Sequence, residues 1–276
     1  MLLATALLWS FAGVLIKSIA WNPLAIAGAR SLIAAPLIAL AARIGGRFRW
    51  SRGHLWGGLA YSAAIISFVV ATKLTTAANA ILLQYTAPIY VGWLSAAVAR
   101  EAVRPRDWAA VGIALFGVAM FFLDDLSLEG RWGNALALFS GFAFGLMTLL
   151  MRRQKDRHPV GSVLAGNLIT GAVCLPFTLG SRPPAEDWPL LVVMGVFQLG
   201  LAYVLFAAAL RRVTAIQAIT IPMAEPVLNP LWTLIFVGER PGPWALPGGA
   251  IVVGAVLWRA LAAARADPTP APLKVE

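Results

Sequence analysis

Apolar runs of about 20 residues follow one another along almost the whole chain, and a run of that length is what an α-helix needs to cross a bilayer. Cutting the sequence at charged or Pro/Gly-rich breaks leaves ten of them, roughly 2–20, 22–43, 54–72, 76–98, 107–124, 131–151, 160–179, 188–209, 213–237 and 244–264. The breaks are too short to hold a soluble domain. Inside lipid every backbone N–H and C=O must be satisfied within the protein, so the expected fold class is an all-α integral membrane protein with ten transmembrane helices. Composition agrees. The 276 residues are 60% hydrophobic and 12% charged. A soluble domain carries roughly 25% charged residues and a disordered chain has low hydrophobicity, so an ordinary cytosolic enzyme and a disordered chain are both excluded. The first run lacks a basic leader and is followed at once by another span, so it reads as a membrane helix rather than a signal peptide. Residues 265–276 hold three prolines and read as a short disordered cytoplasmic tail.

Net charge is +10, which in a soluble chain would suggest nucleic acid. Here the cations mark topology instead. Sixteen of the 22 lysines and arginines fall in one alternate set of loops and the C-terminal end, among them Arg43, Arg104, Arg153 and Arg211. Five lie on the other side, and Arg30 lies within a span. Positive loops stay inside, so both termini are expected in the cytoplasm, the location is the inner membrane, and nucleic acid is not an expected partner. Lys17, at the outer end of the first span, is the local exception.

The sequence also repeats. Shifted by 138 residues, Lys73 meets Arg211, Thr76 meets Thr214, Pro88 meets Pro226, Glu101 meets Glu239 and Pro105 meets Pro243. From Phe68 to Val118 this offset gives 11 identities in 51 positions. Each half holds five spans, and an odd number turns the second half upside down. The expected organisation is a first five-helix repeat over 1–125 and an inverted one over 126–264. Inverted repeats are characteristic of secondary transporters, whose substrate sites lie near the bilayer midplane between the halves.

Three stretches carry a resemblance to the EamA-type carriers of the drug/metabolite transporter superfamily. The first span reads LLWSFAGVLIK from Leu7 to Lys17, and the second reads PLAIAGAR from Pro23 to Arg30. Each half then ends as proline, apolar helix and glutamate: Pro88 to Glu101, and Glu225–Pro226 to Glu239. The resemblance implies ten helices built as two five-helix repeats. In general character the chain is similar to the YddG-type amino-acid exporters within that superfamily.

Ionisable groups deep in a membrane are costly and mark function by default. Glu225 near the centre of the ninth span reads as a proton-coupling carboxylate, a binder for a substrate amine, or a structural group paired with a cation such as Arg30. Arg30 reads as a partner for a substrate carboxylate or as a tie to a loop near the mouth. Glu101 and Glu239 read as interfacial salt-bridge partners. Interior prolines remove a helix hydrogen bond, so Pro88, Pro222 and Pro226 are expected hinges that free carbonyls for a polar cavity. Helical spacing places Asn79, Leu83, Ala87 and Tyr90 on one face, with Gln217, Ile221, Glu225 and Leu228 as their repeat partners. The expected substrate-binding set is Trp9, Asn79, Leu83, Gln84, Tyr90, Gln217, Ile221 and Glu225. Tyr61, Trp93, Tyr203 and Trp232 also lie deep, and Gly141 and Gly145 form a GxxxG helix-packing pair.

Polyanions need several convergent cations, and only Arg30 lies mid-membrane. A neutral or zwitterionic amphipathic solute fits best. The expected function is export of amino acids or similar small metabolites by alternating access, with uniport as one mode. The alternative is a proton-coupled exporter of drugs or lipophilic cations that uses Glu225. No HExxH or GxSxG occurs, Cys174 is the single cysteine, and no enzyme activity, cofactor or metal is expected. Partners are a small-molecule substrate and the lipid bilayer, and ten spans suffice for a functional monomer. Reporter fusions test the topology: a fusion at Arg153 reports the cytoplasm and one at Asp125 the opposite side, whereas the same side for both overturns it.

Overall fold

The apolar runs form helices in the computed structural model of the protein, which describes residues 1–45, 49–121, 123, 130–225, 227–228 and 243–265. Among the described residues there is no strand. The helices are α1 (Leu2–Trp9), α2 (Ala12–Ser18), α3 (Pro23–Ile44), α4 (Arg52–Leu74), α5 (Ala77–Gln84), α6 (Ala87–Leu94), α7 (Pro105–Phe121), α8 (Arg131–Arg153), α9 (Val160–Gly180), α10 (Trp188–Val193), α11 (Ala202–Leu210), α12 (Ala215–Thr220) and α13 (Ala245–Arg265). Among the described residues six helical stretches are long and apolar enough to cross a membrane: Pro23–Ile44, Arg52–Leu74, Asn79–Ala99, Arg131–Arg153, Val160–Gly180 and Ala185–Leu210. Leu2–Ser18, Ala215–Ala224 and Ala245–Arg259 are shorter apolar helices. The expected ninth run is described only to residue 228, so Pro226, Trp232, Glu239 and the tail beyond Arg265 lie outside the described residues, as do Asp124 and Asp125.

Several expected spans are interrupted rather than continuous. Pro88 has no N–H to offer the Gln84 carbonyl, and the chain turns at Tyr85–Thr86 between α5 and α6. Thr86 bridges the gap, its N–H and hydroxyl both donating to the Leu83 carbonyl at 3.2 and 2.7 Å. At Pro222 the helix after α12 tightens into a 3-10 turn over Ile221–Ala224. Between α10 and α11 the helix widens into a π turn over Met194–Leu201. Such wide turns displace side chains from regular helical register.

Small residues let these helices approach closely. α4 packs between α8 and α9, α3 lies against α9 and the Met194–Leu201 turn, and α13 lies on α7. At Gly58 a Cβ would sit 2.6 Å from the Ala165 Cβ and 2.8 Å from the Gly166 nitrogen, so only glycine fits the α4–α9 crossing. The Gly141–Gly145 pair faces the interrupted α5–α6 segment: a Cβ on Gly141 would lie 2.8 Å from the Gln84 carbonyl oxygen. The freed carbonyl is therefore covered by protein, not lipid.

Charged side chains tie the ends. Arg152 Nε donates to Glu101 Oε1 at 2.6 Å, Arg152 Nη1 donates to the Leu210 carbonyl at 2.6 Å, and the Ala215 N–H donates to Glu101 Oε2 at 2.9 Å. One carboxylate thus joins α8 to the α11–α12 corner, and its partner is a distant arginine rather than the adjacent Arg100. Asp107 pairs with Arg259 and joins α7 to α13. At the opposite end Lys17 donates to the Thr75 carbonyl at 2.8 Å and Lys73 to the Ile19 carbonyl at 2.6 Å.

Overpacking a tight helix crossing costs about 1–3 kcal/mol. Gly58→Leu is therefore expected to lower the thermal midpoint in detergent markedly. Gly112→Ala, where an added Cβ meets nothing within 4 Å, is expected to leave it unchanged or raise it. Equal effects of the two would contradict the α4–α9 contact.

Candidate functional site

A cavity lies at the centre of the bundle, with about 40 Å³ of room for the centre of a water-sized sphere. Its walls come from the first spans and from the later ones: Trp9 of α1, Arg30 of α3, Tyr85 beside α5, Phe144 of α8, Tyr203 of α11 and Glu225 beyond α12. Three pairs of residues related by the 138-residue offset line it together: Ile65 with Tyr203, Gln84 with Pro222, and Ala87 with Glu225. Two helix starts related by the same offset are also capped alike. The Thr76 hydroxyl accepts from the Asn79 N–H at 3.0 Å, and the Thr214 hydroxyl from the Gln217 N–H at 3.4 Å.

One wall is aromatic. The Trp9 ring stands 5.0 Å from Tyr203, 5.3 Å from Phe206 and 5.5 Å from Phe144, centroid to centroid. Tilted and edge-on pairs at these separations pack rigidly and present a shaped apolar surface. Among the described residues the buried Trp9 Nε1 has no hydrogen-bond partner.

The polar groups are few and anchored. Glu225 is 8% exposed, and the Tyr85 hydroxyl donates to its Oε2 at 2.7 Å. The Pro222 carbonyl lies 3.2 Å from the same hydroxyl, which has one proton, and the charged acceptor makes the stronger bond. Arg30 is 1% exposed, and its Nη1 donates to Gln198 Oε1 at 3.1 Å, while its Nε has no partner. Gln198 reaches it because it stands on the widened Met194–Leu201 turn, pressed against α3 through Gly195 and Gly200. Gln84 Nε2 donates to Ser140 Oγ at 2.7 Å. Among the described residues the ion pairs are Glu101–Arg152 and Asp107–Arg259, so the expected pairing of Glu225 with Arg30 does not form. Among the described residues Arg30 is bonded to Gln198 of the widened turn rather than to a loop.

Of the residues expected in the site, Trp9, Gln84 and Glu225 line the cavity, and Pro222 of the hinge set lines it too. Asn79, Leu83, Tyr90, Gln217 and Ile221 stand elsewhere. Asn79 bonds Thr75 and Asn134 near the Lys17 end, and Gln217 Oε1 accepts from the Thr214 N–H at 3.1 Å, completing a capping box. Tyr90 packs edge-on against Phe142. The expected face assumed a continuous helix, whereas the chain turns at Tyr85–Thr86, and of that face Ala87 lines the cavity while Asn79, Leu83 and Tyr90 do not. Pro88 is buried just past that turn, and Trp93 is 70% exposed on the outer surface of the bundle. The cavity adds Tyr85, Arg30, Gln198, Tyr203 and Phe144. Arg30 and Gln198 had a visible signal, each being a strongly polar group inside an apolar run, but nothing in the sequence joins them.

The EamA-like transporter family model matches residues 1–123 and 131–260, that is, two successive stretches of the chain. An uncharacterised transporter of Archaeoglobus fulgidus is 27% identical over 71% of this chain and 72% of its own length. The threonine/homoserine exporter RhtA of Escherichia coli K12 is 29% identical over 64% of this chain and 60% of its own length. The transporter YwfM of Bacillus subtilis is 28% identical over 61% of this chain, and the match spans 59% of that relative. A solved crystal structure superposes with a TM-score of 0.78, covering 96% of this chain and 97% of that one at 21% identity, a likeness of fold alone.

The hydrogen bond that holds the Glu225 carboxylate is testable. Bonds to charged groups contribute about 1.5–3 kcal/mol, and Tyr85→Phe is expected to lose that much in dodecyl sulfate unfolding of the detergent-solubilised protein. In a double-mutant cycle with Glu225→Gln the coupling is expected at about 0.5–3 kcal/mol. Additive losses would mean that the two side chains do not meet.

Proposed function

The chain belongs to the EamA-like transporter family, and on that premise we propose that it is an inner-membrane secondary transporter exporting amino acids or similar small amphipathic metabolites by alternating access. In this reading ten helices form two inverted five-helix repeats, 1–125 and 126–264, with both termini and the 265–276 tail in the cytoplasm. The chain works as a monomer and runs as a uniporter, down the gradient of its substrate. Family and relatives are transporters, which speaks for a carrier and against an enzyme.

The observation that carries the reading is the central cavity, walled by offset-related residues of both matched stretches and mixing an aromatic surface with a few anchored polar groups. Small-molecule sites are lined in this way, mostly apolar with a few placed polar groups. Trp9, Gln84 and Glu225 bind substrate, together with Tyr85, Arg30 and Gln198. Pro88 and Pro222, with Pro226, are the hinges, because helices already interrupted bend there at least cost. Closure at one mouth rests on Glu101 and Arg152, whose bonds to the α11–α12 corner break when that mouth opens. The similarity to a threonine/homoserine exporter supports amino acids as the substrate class.

The competing reading is a proton-coupled exporter of lipophilic cations that uses Glu225. Arg30 on the same cavity weighs against it, since a buried like charge repels a cationic solute strongly in a medium of low dielectric. Purified protein in proteoliposomes, given labelled threonine, methionine, phenylalanine and lysine without a proton gradient, is expected to take up the neutral amino acids saturably. Transport confined to lipophilic cations under a pH gradient would replace this function by the competing one.

A further inference from the structure

Two opposite charges face one cavity, and among the described residues neither has an ion-pair partner. Arg30 presents a guanidinium whose Nε lacks any partner and whose Nη1 meets only the neutral amide of Gln198. Glu225 presents a carboxylate whose partner is the Tyr85 hydroxyl. Among the described residues neither has an ion-pair contact. Elsewhere in the same chain buried charges are treated differently, for Glu101 is matched by Arg152 and Asp107 by Arg259. Removing a charge from water without a counter-charge costs several kcal/mol, and unpaired ionisable groups within a membrane mark substrate paths.

The two charges are also kept apart. Arg30 is held toward the widened turn of Met194–Leu201 by Gln198, and Glu225 toward the interrupted α5–α6 segment by Tyr85. Tyr203 lines the same cavity and stands beside Trp9, so the aromatic wall of Trp9, Phe144 and Tyr203 borders the space that both charges face. Each charge carries a neutral hydrogen-bonding neighbour that fixes its orientation and leaves its charge uncompensated.

We propose that the cavity reads the two poles of an α-amino acid: Arg30 with Gln198 takes the α-carboxylate, Glu225 with Tyr85 takes the α-ammonium, and the substrate side chain lies against the aromatic wall. This rests on the carrier function proposed above and narrows its substrate class to zwitterions. A guanidinium accepts a carboxylate through parallel N–H bonds, and the free Nε supplies one edge of that fork. A solute with a single pole leaves one protein charge buried and unmatched, which is how a polar site rejects an analogue lacking a group. The aromatic wall suits a neutral side chain, and a second charge on the substrate has no further partner there.

The test uses wild-type protein in proteoliposomes and labelled phenylalanine in counterflow, competed by 2-phenylethylamine, which lacks the carboxylate, and by 3-phenylpropionate, which lacks the amine. Unlabelled phenylalanine is expected to compete at least tenfold more strongly than either. Arg30→Gln is expected to abolish the preference over 2-phenylethylamine, and Glu225→Gln the preference over 3-phenylpropionate. If phenylalanine is transported and both analogues compete within threefold of it, the two-pole assignment is wrong while the carrier function stands. If no amino acid is transported and lipophilic cations are, both fall. The wild-type series decides on its own should either variant fail to fold, and preferences unchanged in a folded variant overturn the role of that residue.

Discussion

No water is available inside a bilayer to satisfy a stray peptide group, and everything in this structure works under that constraint. It dictates helices wherever the chain meets lipid. It also dictates what happens where a helix is interrupted. At Tyr85–Thr86 the Thr86 side chain satisfies the Leu83 carbonyl, and Gly141 brings α8 close enough to cover the carbonyl that Pro88 leaves free. At Pro222 the tightened turn offers its carbonyl toward the Tyr85 hydroxyl. Both of these interruptions lie in the interior, where they border the cavity.

The same constraint sorts the charges into two kinds. Those that hold the bundle together are matched: Glu101 with Arg152, Asp107 with Arg259, and the lysines near the first turn with backbone carbonyls. Those that border the cavity are held by neutral groups and remain unmatched. Removing one member of a matched pair strands the other, so the first kind serves stability. The second kind carries the proposed reading of a solute's charges. A cavity with aromatic walls between two such charges is a chemical description of what belongs inside it.

Much of the helical architecture was legible in the sequence because run length is a one-dimensional signal. Apolar runs fell on helices, the repeat signal carried by Thr76 and Thr214 reappears as equivalent caps, and the same offset relates three pairs of cavity residues. The candidate site was legible only in part. Trp9, Gln84 and Glu225 line the cavity, but Asn79 and Gln217 serve helix ends and Tyr90 packs on Phe142. Extending one helical face through Pro88 put the wrong residues inward, since a turn of unknown geometry intervenes. A π turn, which shifts Gln198 toward Arg30, leaves no comparable mark in the sequence.

What the sequence determined by itself is therefore the class of fold, the internal repetition and the presence of two costly charges in apolar surroundings. Hydrophobic length and local propensity decide those matters residue by residue. Whether the two charges pair with each other or with the bundle was decided only by tertiary structure. That outcome depends on where broken and widened helices aim a handful of side chains, and those aims follow from contacts between segments as far apart as Arg30 and Gln198, which no local pattern encodes.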